Sequence, residues 1–378
     1  MNIYYYCPFN FNFNAGATAQ VIKDYKHLSK YGYNVFFYGT YDDEQSLKEI
    51  QEYIGNSPIS LTIKHKSTRW NRNSVKFKFL WNIIKDRTKK IIISRNYNKI
   101  HEIFSLKLLL GKHITLLEMH EDALPHLLPK HTFNKTKLKN KYTKLFCNLN
   151  ALILTNYSQE PFLKQEFLKI PPYKILPNGV EIEQFSQITK PPYNECGPFI
   201  ITYIGQFTAW KNVELLFQAM THLDKRFILR IAGGKNDQKS TAQIQTWTYK
   251  YHLQDQVDFK GFVAPKNLPK QVLEGSSALL LPLGDNIESR YFTSPMKLFE
   301  YMATSIPIVA VNYPSVNRIT GEESVFLSEN TPQAFAKKIE EAIACQDEVR
   351  MKKTNQLAQK YSYKTRAGHM HEFLQYRL

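Results

Sequence analysis

The chain has 378 residues, 43% of them apolar, and a formal net charge of +17. This length predicts two domains, and the composition supports an ordinary soluble globular protein. The four cysteines, Cys7, Cys147, Cys196 and Cys345, are scattered without C-x-x-C or metal spacing, which argues against a disulfide framework or a metal site and favours a reduced cytosolic chain. We expect no membrane span, because no apolar run is long enough, and no signal peptide at the N-terminus.

Strand-like apolar runs alternate with helical patterns from the N-terminus onward. The predicted strands are Ile3–Tyr6, Val35–Tyr38, Ile91–Ser94, Ile114–Glu118, Ala151–Leu154, Ile200–Tyr203, Phe227–Ala232, Val257–Phe259 and Ala278–Pro282. This alternation predicts an α/β protein with parallel sheets covered by helices. The polar, proline-rich stretch Glu183–Pro198 interrupts the pattern and predicts a linker between two doubly wound units. In such sheets, ligands bind beyond the carboxyl ends of the strands.

The stretch T-S-P-M-K-L-F-E-Y-M-A-T-S-I-P-I-V-A, residues 293–310, predicts a short helix followed by a buried strand. Ser294 suits the helix N-cap and Pro295 the first helical position. The free amides there favour an anion, and Lys297 adds a positive charge for a phosphate. Glu300 lies one turn further on nearly the same face, where a carboxylate accepts both hydroxyls of a ribose. The same two side chains also fit an exposed ion pair, so both interpretations stay open.

Four further segments accompany this stretch. They are L-P-N-G-V-E-I-E-Q-F at 176–185, Y-I-G-Q-F-T-A-W-K-N at 203–212, V-D-F-K-G-F-V at 257–263 and, more weakly, T-L-L-E-M-H-E-D at 115–122. Together the segments resemble the retaining, nucleotide-sugar-dependent glycosyltransferases of family four, in the branch with S-P-x-K-x-x-E-Y-M-A. The resemblance covers essentially the whole chain and is most specific in its second half.

The resemblance implies the GT-B fold, with two Rossmann-like domains that face each other across a cleft. Residues 1–184 would bind the acceptor, residues 185–358 would bind the donor, and residues 359–378 would form a helix that returns to the first domain. The donor implied is a nucleotide diphosphate sugar, with UDP favoured. Transfer would retain the anomeric configuration and need no metal or other cofactor.

The resemblance also assigns site residues. Glu300 would hold the ribose, Lys297 and Lys211 would neutralise the departing diphosphate, and His120 would lie near the transferred sugar. The other implied donor contacts are Ser294 through nearby amides, Gly205 and Gln206 in the loop after a strand, Phe262 and Val263 through their main chains, and Gly16 through close backbone approach.

Three positions depart from the family pattern. Phe292 stands where the family has its first acid, Gln206 stands where it has an arginine, and Ser305 stands where a glycine ends the helix. We expect Phe292 to remove a donor-sugar contact and Gln206 to remove a phosphate cation, for which Lys297 would substitute. At Ser305 a left-handed cap would strain a residue other than glycine.

Several of these residues also have plainer interpretations. Gly205 and Gly16 fit turn glycines, Lys211 fits a solvated lysine, and His120 fits a structural histidine at a strand end. Asn178 and Gly179 fit hinge geometry. Arg95, which also ends a predicted strand, could meet an acidic acceptor or pair with a carboxylate.

The positive charge is concentrated in the first half, at +12 for residues 1–184 (27 bases, 15 acids) against +5 for residues 185–378 (23 bases, 18 acids). Lys64–Lys90 has ten basic residues interleaved with aromatic ones, and Lys135–Lys144 has five lysines and no acid. Basic amphipathic helices with aromatic residues often lie on anionic membranes. We therefore expect peripheral contact with the inner face of the cytoplasmic membrane, where a lipid-linked acceptor lies. The plainer alternative is a solvated face over an ordinary core.

The predicted role is sugar transfer to a glycan or lipid-linked acceptor in bacterial surface-polysaccharide or lipopolysaccharide assembly. Three other functions remain open: a GT-B-like nucleotide-sugar epimerase, an inactive glycosyltransferase-like scaffold, and a nucleic-acid-binding protein. The last is disfavoured because the sequence has no helix-turn-helix, zinc or RNP pattern, and we expect no nucleic-acid partner.

Overall fold

The computed structural model describes residues 1–13, 15–95, 100, 103, 109–120, 135–234, 237–345 and 347–377. The chain divides into two compact units, Met1–Gly179 with Tyr363–Leu378, and Val180–Ser362. The chain passes from the first unit to the second between Gly179 and Val180. This boundary precedes the predicted linker at 183–198, so the linker stretch belongs to the second unit. Its apolar residues Phe185 and Ile188 are buried, which explains why it does not behave as a free linker.

The first unit has a seven-stranded sheet in the order β3-β2-β1-β4-β5-β6-β7, with every pair parallel. The strands are β1 Asn2–Asn10, β2 Asn34–Tyr41, β3 Ile59–His65, β4 Lys90–Ser94, β5 His113–Met119, β6 Ala151–Leu154 and β7 Tyr173–Ile175. The strand order reverses between β1 and β4. That reversal is the point at which doubly wound sheets bind ligands.

Five helices of this unit precede residue 180 in the described part of the chain. They are α1 Gly16–Ser29, α2 Glu44–Ile54, α3 Arg69–Lys85, α4 Lys135–Asn148 and α5 Gln159–Glu166. Side-chain caps define the starts of two of them. Asp43 accepts from the Gln45 amide at α2, and Thr68 accepts from the Asn71 amide at α3.

The second unit has a six-stranded sheet in the order β10-β9-β8-β11-β12-β13, again all parallel. The strands are β8 Phe199–Gly205, β9 Phe227–Gly233, β10 Val257–Gly261, β11 Ala278–Leu281, β12 Ile308–Val311 and β13 Phe326–Ser328. Its helices are α6 Glu214–Met220, α7 Gln238–Lys250, α8 Met296–Met302, α9 Pro314–Thr320, α10 Pro332–Ala344 and α11 Glu348–Lys360. Here the strand order reverses between β8 and β11.

The last helix, α12 Tyr363–Arg377, is part of the first unit. Its residues Ala367, Met370 and Leu374 are buried in the same core as Val21 and Tyr25 of α1. The C-terminal segment therefore completes the hydrophobic core of the unit that begins at residue 1. Among the described residues, no helix is both long and apolar enough to cross a membrane.

Candidate active site

The segments that follow β8 and β11 are tied together at the reversal point of the second sheet. The carbonyl of Trp210 accepts from the Gly284 amide at 2.8 Å and from the Ser289 hydroxyl at 3.1 Å. Ser315 in turn donates to the Ser289 carbonyl at 2.5 Å. These bonds fix the loop that carries Lys211 against the segment that leads into α8.

Gly205 has a packing role at the end of β8. Its carbonyl accepts from the Gly234 amide at 2.9 Å, and a Cβ on Gly205 would lie 2.4 Å from the Tyr203 hydroxyl. Gly233 on β9 lies so close that its own Cβ would meet the Gly205 carbonyl oxygen at 1.9 Å. The structure therefore gives Gly205 a reason in close packing, and it does not show the tight turn that the plainer interpretation predicts.

Helix α8 carries the predicted ribose and phosphate residues. The Lys297 ammonium lies 2.6 Å from Glu300 Oε2, and the two side chains are only 23% and 16% exposed. The ion-pair alternative is thus observed, but in a partly buried setting. A carboxylate has about four lone-pair sites, so Glu300 retains acceptor capacity beside Lys297.

The start of α8 differs from the prediction by one residue. Pro295 has an extended ψ of 114° and occupies the cap position, so the helix begins at Met296, and the cap position makes no side-chain hydrogen bond. The predicted N-cap role of Ser294 is therefore wrong, although Ser294 is buried directly before the cap.

The predicted strain at Ser305 is also absent. Helix α8 ends at Met302 with Ala303 in a right-handed conformation. Ser305 is not among the described residues with positive φ. Its amide donates to the Ile188 carbonyl at 2.9 Å. The serine therefore needs no left-handed conformation.

Helix α8 is anchored to the central strand by the residue after Glu300. The buried Tyr301 hydroxyl accepts from the Ile204 amide at 2.9 Å, one residue before Gly205. Phe292, which stands in the position of the family's first acid, is buried as well. The anchor places Glu300 beside the reversal point, whereas Phe292 adds apolar packing in place of a carboxylate.

Lys211 ends a short 3₁₀ turn, Ala209–Lys211, and lies over the Trp210 ring at 3.8 Å from its centroid. The turn closes through Asn212 in a left-handed conformation, with φ 49°. The Lys211 ammonium therefore lies beside an aromatic face, which favours a cation.

A cavity of about 560 Å³ opens beside β10 and α7. It is lined by Asp237, Gln238, Thr241, Ala242, Gln245, Phe259, Gly261 and Phe262. Phe262 is largely exposed and Val263 is half-buried. The predicted base-contacting segment therefore borders a cavity, as a base-binding loop requires.

The first unit contains a buried charged cluster around Glu118 of β5. Glu118 lies 3.4 Å from Arg95 Nε, 3.2 Å from Arg366 Nη2 and 3.2 Å from His120 Nε2. The Tyr5 hydroxyl also donates to it at 3.0 Å. The carboxylate-pairing interpretation of Arg95 is the one observed, and Arg95 further donates to the side chain of Gln20 at 2.9 Å.

Burial and charge together set the protonation states in this cluster. Burial alone would raise the pKa of Glu118, but Arg95, His120 and Arg366 outweigh it and hold that pKa well below its usual range. Burial, reinforced by Arg95, lowers the pKa of His120 to about 4. Burial also raises the pKa of Asp24 to about 6, against the opposing effect of Arg366. His120 is therefore a neutral imidazole at neutral pH.

The predicted residues belong to both units. In the second unit Lys297 and Glu300 contact each other, Gly205 ends β8, and Gln206 and Lys211 lie in the loop that follows. In the first unit His120 lies in the charged cluster. Gly16 is exposed at the first position of α1. Glu121 and Asp122, the last residues of the 115–122 segment, lie outside the described residues. Sequence reasoning missed Arg366 and Asp24, because their partners are distant in the chain.

Solved structures resemble the chain over nearly its whole length. HepE of Anabaena in complex with UDP has a TM-score of 0.73 at 14% identity, covering 99% of this chain and 100% of that one. Sucrose-phosphate synthase from Thermosynechococcus elongatus gives 0.74 at 15%, covering 99% and 98%. The apo lipopolysaccharide outer core galactosyltransferase WaaB gives 0.71 at 16%, covering 100% of both chains. No curated protein sequence matches the chain.

The two parallel doubly wound sheets and these similarities define a protein of the GT-B glycosyltransferase fold, which confirms the predicted fold class. Residues 186–365 match the family described as Glycosyl transferases group 1. The matched part of the chain includes α8 and both of its charged residues.

Proposed function

We propose that the protein is a retaining glycosyltransferase that moves a sugar from a nucleotide diphosphate sugar, with UDP favoured, to a glycan or lipid-linked acceptor. The observation that carries the proposal is the group 1 domain at residues 186–365, with Lys297 and Glu300 side by side on a helix anchored next to Gly205. The UDP complex of HepE supports the choice of nucleotide. WaaB, a lipopolysaccharide galactosyltransferase, supports a place in bacterial surface-polysaccharide or lipopolysaccharide assembly.

In this proposal, charged side chains of the second unit bind the ribose and the diphosphate of the donor. Glu300 accepts the ribose hydroxyls, while Lys297 moves from Glu300 toward the diphosphate and joins Lys211 there. As the bond from the anomeric carbon to the diphosphate breaks, these two cations stabilise the negative charge that develops on the leaving group. The backbone near Ser294, Gly205 and Gln206 adds donors for the phosphates. We assign this electrostatic role to the lysines and require no metal ion.

The nucleotide base belongs beside the cavity at β10. Phe262 lines it and Val263 follows directly, and we assign the contacts with the base edge to the main chains of these two residues. The buried Phe292 offers no carboxylate to the donor sugar. Selection among sugars therefore depends on other side chains.

The first unit is proposed to bind the acceptor, with His120 near the transferred sugar. Its imidazole is neutral at pH 7, because burial and Arg95 lower its pKa to about 4. A neutral imidazole orients a hydroxyl by hydrogen bonding but is a poor proton donor at this pH. We therefore give His120 a positioning role. The exposed Gly16 at the start of α1 leaves its backbone open to a ligand.

A thermal-shift panel of UDP, GDP, ADP and UDP-sugars tests donor binding. A nucleotide at a hundred times its dissociation constant should stabilise the folded chain by about 2.7 kcal/mol. Stabilisation by none of them contradicts the proposal. Product analysis then separates the alternatives: an epimerase consumes donor without acceptor, an inactive scaffold binds without turnover, and a retaining transferase preserves the anomeric configuration in its product.

A further inference from the structure

Helix α3 of the first unit carries large aromatic side chains on its solvent side. Trp70, Phe77 and Trp81 are 81%, 67% and 57% exposed. The Phe77 and Trp81 rings stack, with centroids 6.4 Å apart and planes 15° apart. A single exposed aromatic residue is ordinary, but three on one helix form a patch of the kind that marks an interaction site.

The three rings form one stripe. At about 100° per residue they fall within about 40° of each other around the helix axis, and the stripe is about 16 Å long. The opposite face, with Val75, Phe79 and Ile83, is buried against the sheet. Helix α3 is thus apolar on two sides, and the folding of the unit uses only one of them.

Helix α3 is also strongly basic. The helix contains five basic residues, Arg69, Arg72, Lys76, Lys78 and Lys85, and no acid. Lys78 and Lys85 are exposed and lie beside the aromatic stripe, both on the same side, about 60–80° from it around the helix axis. The acid that follows, Asp86, is already engaged by Asn2, Tyr4 and Thr88. The stripe is therefore bordered on one side by positive charge, and its own helix carries no acid.

The second basic segment, on α4, has a different structure. Lys141 and Lys144 are exposed, but Tyr142, Leu145 and Phe146 are buried. The apolar face of α4 is therefore used in the core, and the plainer alternative of a solvated charged face fits it. Of these two basic segments, as far as their side chains are described, α3 is the one that combines exposed rings with exposed lysines, and α4 provides a charge-matched comparison within the same unit.

We propose that this face of α3 docks the protein on an anionic lipid membrane. The rings of Trp70, Phe77 and Trp81 enter the headgroup region, where amphipathic aromatic side chains are most stable, and Lys78 and Lys85 meet lipid phosphates. Each basic residue near such a surface adds electrostatic attraction. A lipid surface is favoured over another folded protein because it matches both a linear apolar stripe and the exposed lysines beside it. The proposal does not depend on the chemistry of the second unit.

Flotation of the full chain with vesicles tests the proposal. The vesicles contain phosphatidylcholine alone or phosphatidylcholine with phosphatidylglycerol. We expect binding to the mixed vesicles, and about a tenfold loss for Trp70→Ser/Phe77→Ser/Trp81→Ser and for Lys78→Glu/Lys85→Glu. The α4 control, Lys141→Glu/Lys144→Glu, makes the same change in net charge and should stay within about twofold of the unmodified chain.

Tryptophan fluorescence gives a second readout, which can first be measured on the unmodified chain. The exposed Trp70 and Trp81 should shift their emission to the blue on mixed vesicles, and Trp70→Ser/Trp81→Ser should lose that shift. All substituted side chains are exposed, so melting curves and UDP binding should be unchanged, which separates this proposal from the proposed function. Equal losses from the α3 and α4 charge variants, no binding to mixed vesicles, or equally tight retention on a DNA fragment would each overturn it.

Discussion

Arg366 on α12 donates to Asp24 on α1 at 2.5 Å, and both side chains are 3% exposed. The same guanidinium reaches Glu118 at 3.2 Å and the carbonyl oxygen of Pro177 at 2.9 Å. One buried cation therefore joins the two ends of the first unit to the middle of its sheet. It also fixes the carboxylate next to His120, so the position of a proposed acceptor-side residue depends on the C-terminal helix.

Arg366→Ala should destabilise the first unit strongly. Removal of the guanidinium leaves Asp24 and Glu118 buried with less compensating charge, and breaking a buried pair typically costs about 3–5 kcal/mol. The matched control is Lys353→Ala, which breaks an exposed pair with Glu323 and should cost less than about 1 kcal/mol. Urea denaturation measures both. Similar small losses in the two variants would contradict the structural role of Arg366.

His120 should make stability fall at mildly acidic pH. Its pKa is about 4 in the folded chain and about 6.5 in the unfolded chain, so the unfolded state binds more protons between these values. The resulting stabilisation is present above pH 6.5 and is lost as the pH falls through 4; its upper limit is about 3.4 kcal/mol. Asp24, whose pKa is raised to about 6, has the opposite effect and makes stability rise as the pH falls. Because Asp24 is also present in a His120 variant, its effect cancels when the variant is compared with the unmodified chain.

The measurement compares the free energy of unfolding of the unmodified chain with that of His120→Gln between pH 7 and pH 4. Glutamine keeps a polar side chain but cannot titrate. The free energy of unfolding of the unmodified chain should fall relative to that of His120→Gln as the pH falls. Parallel curves would show that His120 does not titrate as the buried cluster predicts.

The sheets were predictable where a strand is fully buried, because continuous apolar runs mark such strands. Each predicted run lies within an observed strand or overlaps it closely, as Ala151–Leu154 does. The edge strand β3 was missed because it is only partly buried and carries polar residues, and β7 and β13 are three residues each. Such short runs give too little pattern to distinguish from a loop.

The site was only partly predictable from local sequence. The spacing of Lys297 and Glu300 correctly predicted that they share a helix face, since that depends on neighbours three residues apart. The pairing of Arg366 with Asp24 spans 342 positions and has no local signal. The helical spacing of aromatic residues on α3 and α4 also could not show which rings face solvent. That depends on which side of each helix the rest of the unit covers.

Glu300→Ala should weaken nucleotide binding, and Lys297→Ala should lower turnover more than binding. The first change removes the proposed ribose acceptor, worth about 1.5–3 kcal/mol as a charged hydrogen-bond partner. The second removes a cation whose attraction grows as the diphosphate departs, so kcat should fall by about tenfold to a hundredfold. Titration calorimetry with UDP and steady-state kinetics measure the two effects.

The control for these variants is Lys338→Ala on α10. Lys338 forms the same i,i+3 pair with Glu341 in the same unit, on a helix to which no donor contact is assigned. We expect unchanged UDP affinity and kcat for this variant. Normal turnover in Lys297→Ala would remove the phosphate assignment, and unchanged affinity in Glu300→Ala would remove the ribose assignment.

Gly233→Ala should disrupt the second unit at the end of β8. Its φ of 131° disfavours any other residue, and the new Cβ would lie 1.9 Å from the Gly205 carbonyl oxygen. Backbone must move to relieve such a contact, so we expect a loss of more than about 3 kcal/mol together with weaker UDP binding.

Gly275→Ala isolates the backbone contribution, because Gly275 has a φ of 76° but no atom within 4 Å of its Cβ position. It should cost only about 1 kcal/mol and leave UDP binding intact. Equal costs for the two alanines, measured by denaturation, would mean that the contact between β8 and β9 does not hold the proposed phosphate loop in place.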